Sequence, residues 1–135
     1  MALDVHLVTP EREVWAGTAD FVIARSVAGD LGILPGHTPT LAALDIGAVY
    51  IEAGGQRTAV VVDGGFLHVG EGGGESGEDT RVDILAERAL LEDELSREDP
   101  AACERRAEEL RNEGRDAEAR VEEAKAAVRR RLGAG

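Results

Sequence analysis

Few side chains in this 135-residue chain are spaced for chemistry, and the densest grouping is Gly29-Asp30-Leu31-Gly32-Ile33-Leu34-Pro35-Gly36-His37-Thr38-Pro39. Three glycines and two prolines in eleven residues imply an irregular, rigid backbone, because Gly admits positive φ while Pro fixes φ and lacks an amide donor. Asp30 and His37 are its polar groups. A histidine after Pro-Gly could titrate near neutrality; a fixed hydrogen-bonding element of the loop is the commoner role. His6 and His68 lie far away in sequence, and no cysteine joins the histidines at metal-ligand spacing. The single cysteine, Cys103, excludes an internal disulfide and reads as a small packed side chain. There is no P-loop, Lys125 is the only lysine, and no Gly-x-Ser-x-Gly elbow occurs. No catalytic, nucleotide-binding, cofactor or metal site is expected. The glycine-rich stretch 71–79 offers Glu71, Glu75, Glu78 and Asp79 as oxygen ligands, but without EF-hand spacing. It reads as a hairpin tip.

The elements that must position these residues fall into two textures. Up to Glu87 the pattern is β. Leu3, Val5 and Leu7 alternate with polar neighbours, and a strand signal over 14–24 is interrupted at Gly17. The segments 48–51 and 58–62 flank Gly54-Gly55 as a hairpin, and 66–69 and 81–85 close the series. Short strands with frequent glycine punctuation predict a β-sandwich or flattened barrel. Beyond it, Asp99-Pro100 is a helix start and Gly114 a helix stop. Cys103, Ala107 and Leu110 form a stripe on the first helix, and Ala117, Val121, Ala124, Val128 and Leu132 one on the second. The fold class is therefore α+β: a sandwich over residues 1–87, then an antiparallel two-helix hairpin over 88–135. The seam is mostly alanine, so it is weak enough to reopen.

Net charge is −12, divided as −9 over residues 1–86 and −3 over 87–135. That balance excludes a nucleic-acid surface and would suit either solubility or a high-salt interior. No run is long enough to span a membrane, so direct insertion is not expected. Arg129-Arg130-Arg131 ends the last helix, where cations complement the helix dipole or meet an acidic partner.

The order of landmarks resembles the epsilon subunit of bacterial F-type ATP synthases over nearly the whole chain. The resemblance is carried by Val8-Thr9-Pro10 before Val14-Trp15-Ala16-Gly17, the 29–39 run, Thr40 to Gly47, Asp63-Gly64-Gly65-Phe66-Leu67-His68-Val69 and Ile84-Leu85-Ala86-Glu87. It implies a non-catalytic rotor subunit at the cytoplasmic face of the bacterial plasma membrane, coupling ion-driven rotation to ATP synthesis. It also implies a gamma subunit and a membrane ring of c subunits as partners. Asp30 would approach the ring, with Leu31, Gly32, Ile33, Pro35, Gly36 and His37 shaping the ring and gamma contact. The helical arm would reach the alpha and beta subunits and inhibit hydrolysis, through Arg129, Arg130 and Arg131. The family's ATP-binding Ile/Leu-Asp-x-x-Arg-Ala motif is not matched by 89–96, the 71–79 connection is long, and Pro100 interrupts the first helix. The segment 93–99 resembles an acidic stretch of the beta subunit, a chance match in a Glu-rich helix. The alternative is a free-standing sandwich adaptor whose helices bind another coiled coil.

Overall fold

The computed structural model describes residues 2–72, 80–95 and 99–134, with side chains through Arg131 in the last helix. Ten strands form one strongly folded-over sheet: β1 (Leu3–Val8), β2 (Glu13–Ala19), β3 (Phe21–Ser26), β4 (Gly29–Ile33), β5 (Thr40–Leu44), β6 (Gly47–Ala53), β7 (Gln56–Val62), β8 (Gly65–Glu71), β9 (Thr80–Leu85) and β10 (Ala89–Leu91). Their order is β10-β7-β6-β3-β5-β8-β9-β1-β2, with β4 added on β3. Strand β3 turns the corner: it pairs with β6 through Phe21, Val22 and Ile23, and meets β5 only at Ser26. The result is a sandwich that nearly closes into a barrel, as predicted.

The inward alternation makes the core. Leu3, Val5, Leu7, Val22, Ile33, Ile51, Val60, Leu67, Val69, Val82 and Ile84 are fully buried, and no aromatic ring is. Each such aliphatic contributes about 1.5–3 kcal/mol, so an aromatic-poor composition still supports a stable sandwich. The Gly54-Gly55 hairpin is present between β6 and β7, with φ of 59° and 80° at the two glycines, the two positive values a type I′ turn requires.

Two strand boundaries differ from the sequence reading. The chain breaks at Asp20, not at Gly17, which lies within β2. The first half of the glycine-proline run is itself a strand, β4, because antiparallel pairing with β3 straightens residues 29–33. The three-residue β10, also unforeseen, pairs with β7. The expected hairpin tip lies largely at 73–79, outside the described residues.

After the four-residue α1 (Glu92–Leu95), α2 (Pro100–Asn112) and α3 (Asp116–Ala134) fold back on each other. Asp99 caps α2 by accepting from the Ala101 amide at 3.2 Å, and Gly114 turns the chain at φ 76°. Cys103 and Ala107 are buried and Leu110 half-buried. The face predicted on α3 is corrected: Ala117 is exposed, while Val121, Ala124 and Val128 rest on the sheet against Ala48, Tyr50, Ala59 and Val61. Buried Ala119 and Ala126 lie outside that cluster. Helix α3 must serve both the sheet and α2, so one stripe cannot do both. Leu132 falls outside the described side chains.

Candidate functional site

The β3–β4 hairpin presents Asp30. Its turn is closed by Ser26, whose hydroxyl donates to the Gly29 carbonyl at 2.7 Å and accepts from the Ala28 amide at 3.1 Å. Strand alternation directs Leu31 and Ile33 inward and leaves Asp30 and Gly32 exposed. Asp30 stands opposite Arg25 in register, and both are exposed. Gly32 lies beneath the Phe21 ring, 3.4 Å from where a Cβ would sit.

The second half of the run is a separate feature at the far end of β4. Leu34, Pro35, Gly36 and His37 make a type II turn: Pro supplies the second position and Gly36 the third, at φ 88°. The His37 amide closes it by donating to the Leu34 carbonyl at 3.0 Å. The His37 ring contacts the Thr38 carbonyl at 2.8 Å through Nδ1, which therefore carries the proton. His37 is thus a fixed element of its loop. The Gly36 amide donates to the buried Thr80 hydroxyl at 2.7 Å, and Leu34 is 58% exposed. Asp30 and Leu34 are four residues apart on an extended strand, about 13 Å. The structure therefore does not gather the seven predicted residues into one cluster: Asp30 marks one end of β4, Pro35, Gly36 and His37 the other, and Ile33 is core.

The arm's basic end faces its own chain. Arg130 pairs with Glu104 on α2. Arg131 donates to the Tyr50 hydroxyl at 2.9 Å and lies 5.0 Å over the Tyr50 ring, which Arg57 also flanks at 5.8 Å. Arg129 has a buried Nε without a hydrogen-bond partner among the described residues. About three turns upstream of Arg131, Arg120 meets Asp45 of the β5–β6 turn at 2.6 Å. The Arg120 hydrogen bond is the main cause that holds the Asp45 carboxyl below its ordinary value.

The sequence reading missed an apolar strip. Ala43 on β5, Phe66 on β8, Leu85 on β9 and Val8 on β1 stand side by side in register, with Leu41 alongside. Leu41, Phe66 and Leu85 are 72%, 57% and 54% exposed. An exposed apolar face of this kind is a candidate binding surface. Its signal was the alternation of Leu41 with Ala42 and of Phe66 with Leu67, visible only once β5 is recognised as a strand.

A cleft of about 860 Å³ separates the sandwich from the helices, but its charges are opposed and partly paired, as in Arg12–Glu94 at 2.5 Å. The register also sets His6 and His68 on either side of Asp83. No group of three or more His, Cys, Asp or Glu suited to a metal ion occurs among the described residues.

This sandwich with its outward strip and helical tail belongs to the class described as the ATP synthase delta/epsilon chain β-sandwich domain, whose family model matches residues 2–92. Relatives extend the match. The ATP synthase epsilon chain of Streptomyces coelicolor is 41% identical over 138 aligned positions, covering 100% of this chain and 99% of its own. That of Thermobifida fusca is 44% identical over 96% of this chain and 90% of its own. The epsilon chain of Frankia casuarinae is 47% identical over 67% of this chain. A chain in the Euglena gracilis mitochondrial ATP synthase, in its OSCP/F1/c-ring assembly, shares the fold at TM-score 0.76 and 24% identity, covering 94% of this chain and 81% of that one. The chain belongs to the ATP synthase epsilon chain family. The free-standing adaptor is not favoured.

Proposed function

We propose that this chain is a non-catalytic central-stalk subunit of an F-type ATP synthase, working peripherally at the cytoplasmic face of a bacterial plasma membrane. The observation that carries this reading is the alignment of its whole length with an epsilon chain. Residues 1–91, through β10 on the edge of the sheet, form the docking unit. Their exposed strip of Leu41, Phe66 and Leu85 offers the desolvated contact that a gamma subunit needs to turn with this chain as one body. Asp30, on a rigid hairpin, meets the polar loops of the c ring. Exposed Gly32 flanks that contact, and Pro35, Gly36 and His37 shape a second surface at the other end of β4, while half-buried Leu31 and buried Ile33 support the strand from inside.

Residues 92–135, which follow β10, form the regulatory arm. Arg130 and Arg131 are held by Glu104 and Tyr50 while the arm is folded, so they reach acidic groups on the beta subunit only when it opens. Inhibition of hydrolysis then competes with arm docking. No bound cofactor is needed for either action.

The test is ATP hydrolysis by the cognate alpha-beta-gamma complex, with the chain whole or ended after Leu91. That cut keeps β10 paired with β7. Both forms binding gamma, with inhibition by the whole chain alone, is the expected outcome. Binding without inhibition by either form leaves a coupling subunit with a silent arm. Failure of both to bind overturns the reading.

A further inference from the structure

The geometry points to Thr80 as the positioning residue of the 34–38 loop, an inference that rests on the rotor-docking reading. Thr80 is the one buried polar side chain among the described residues, 1% exposed at the first position of β9. Its inward neighbours on that strand, Val82 and Ile84, are core, so its hydroxyl faces the inside of the sandwich where water cannot serve it. The partner it finds is the Gly36 amide at 2.7 Å, 44 residues away in sequence.

The loop's other hydrogen bonds are local: His37 to Leu34, the His37 ring to Thr38, and the Thr40 hydroxyl to Thr38. Those bonds shape the turn but cannot say where it sits. The flanking strands hold its two ends, Ile33 on β3 and Thr40 on β8, and the Thr80–Gly36 bond adds the tie at its middle, to a strand held by β1 on one side and β8 on the other. It fixes the exposed Leu34 and the His37 ring relative to the docking face, so that a partner meets a preset surface and no ordering cost is left for association. A buried hydroxyl is a poor choice for stability alone, since it must be satisfied. Its use here is placement.

The test compares Thr80→Val, which keeps shape and branching but removes the hydroxyl, with Thr80→Ser, which keeps the hydroxyl. Amide exchange on the free full-length chain should show Gly36 exchanging roughly 3- to 10-fold faster in Thr80→Val, the loss of one ordinary hydrogen bond. The Val82 and Ile84 amides should not change. In the reassembled synthase, Thr80→Val should lower ion pumping per ATP hydrolysed, and Thr80→Ser should match the parent chain. Unchanged Gly36 exchange, unchanged coupling despite faster exchange, or a serine variant behaving like valine would each overturn the assignment. A parent chain that does not join the rotor overturns the docking reading instead, and the exchange comparison still decides the clasp.

Discussion

At the residue scale the glycines separate by what surrounds them. Gly65 begins β8 at φ 129°, and a Cβ there would lie 2.1 Å from the Leu85 carbonyl oxygen. Gly55 needs a positive φ of 80° but has open space around it. Gly65→Ala adds a backbone clash to conformational strain and should cost on the order of 3–5 kcal/mol. Gly55→Ala carries the strain alone, about 1–2 kcal/mol. Urea unfolding of both variants checks the ranking, and equal costs would refute it. Glu94 makes a second case. The Arg12 hydrogen bond holds its carboxyl below the ordinary carboxylate pKa, helped by the Leu91 amide. A carboxyl lowered in the folded state stabilises above the unfolded value of about pH 4.3, and that contribution is lost as pH falls through the folded one. The stability difference between the parent and Glu94→Gln should therefore be present at neutral pH and vanish in acid. A difference that persists in acid would mean the side chain acts by packing.

At the scale of elements, α3 is the joint between the sandwich and the helical tail, and the proposed regulation turns on it. It rests on the sheet through Val121, Ala124 and Val128, with Leu95 of α1 fully buried in the same cluster. Its contacts to α2 are small side chains rimmed by the pairs Arg106–Glu122, Arg111–Glu123 and Arg130–Glu104. Exposed pairs of this kind contribute about 0–1 kcal/mol each. Leu95→Ala should therefore do more than loss of any pair, costing about 2–5 kcal/mol. Amide exchange should show α3 losing protection while β1, β8 and β9 keep theirs; equal loss everywhere would make arm and sandwich one cooperative unit. How far these elements were legible follows from their periods. The β1 alternation, the Gly54-Gly55 turn and the Asp99-Pro100 cap are local codes, and they stand in the structure as read. Strand β4 was not legible, because glycine and proline advertise a loop while the ladder to β3 makes residues 29–33 a strand. Nor was the face of α3, since alanine marks a helix surface without saying which neighbour it meets. The apolar strip and the Thr80 clasp depend on pairing between distant segments, which no local pattern encodes.

At the scale of the whole molecule, charge acts in opposite directions on the two parts. The first 86 residues carry 13 acids and 4 bases, a net of −9, and folding concentrates that charge on one small body. The arm is attached partly by cations: Arg120 on Asp45, and Arg131 on the Tyr50 ring and hydroxyl. Raising salt from about 0.01 M to about 1 M shortens the screening length from roughly 30 Å to roughly 3 Å. Like-charge repulsion within the sandwich falls, so its unfolding midpoint should rise. The attractions that dock α3 fall too, so its amide protection should drop over the same range. Trp15 is the only tryptophan and packs against the sandwich core, so its fluorescence follows the sandwich without reporting the arm. A rise in the Trp15 midpoint with loss of α3 protection would show that ionic strength alone can shift the arm toward release while tightening the docking unit. Movement of both in the same direction would mean that apolar contacts, and not the arginines, decide where the arm lies; Arg120→Ala should then leave α3 protection unchanged.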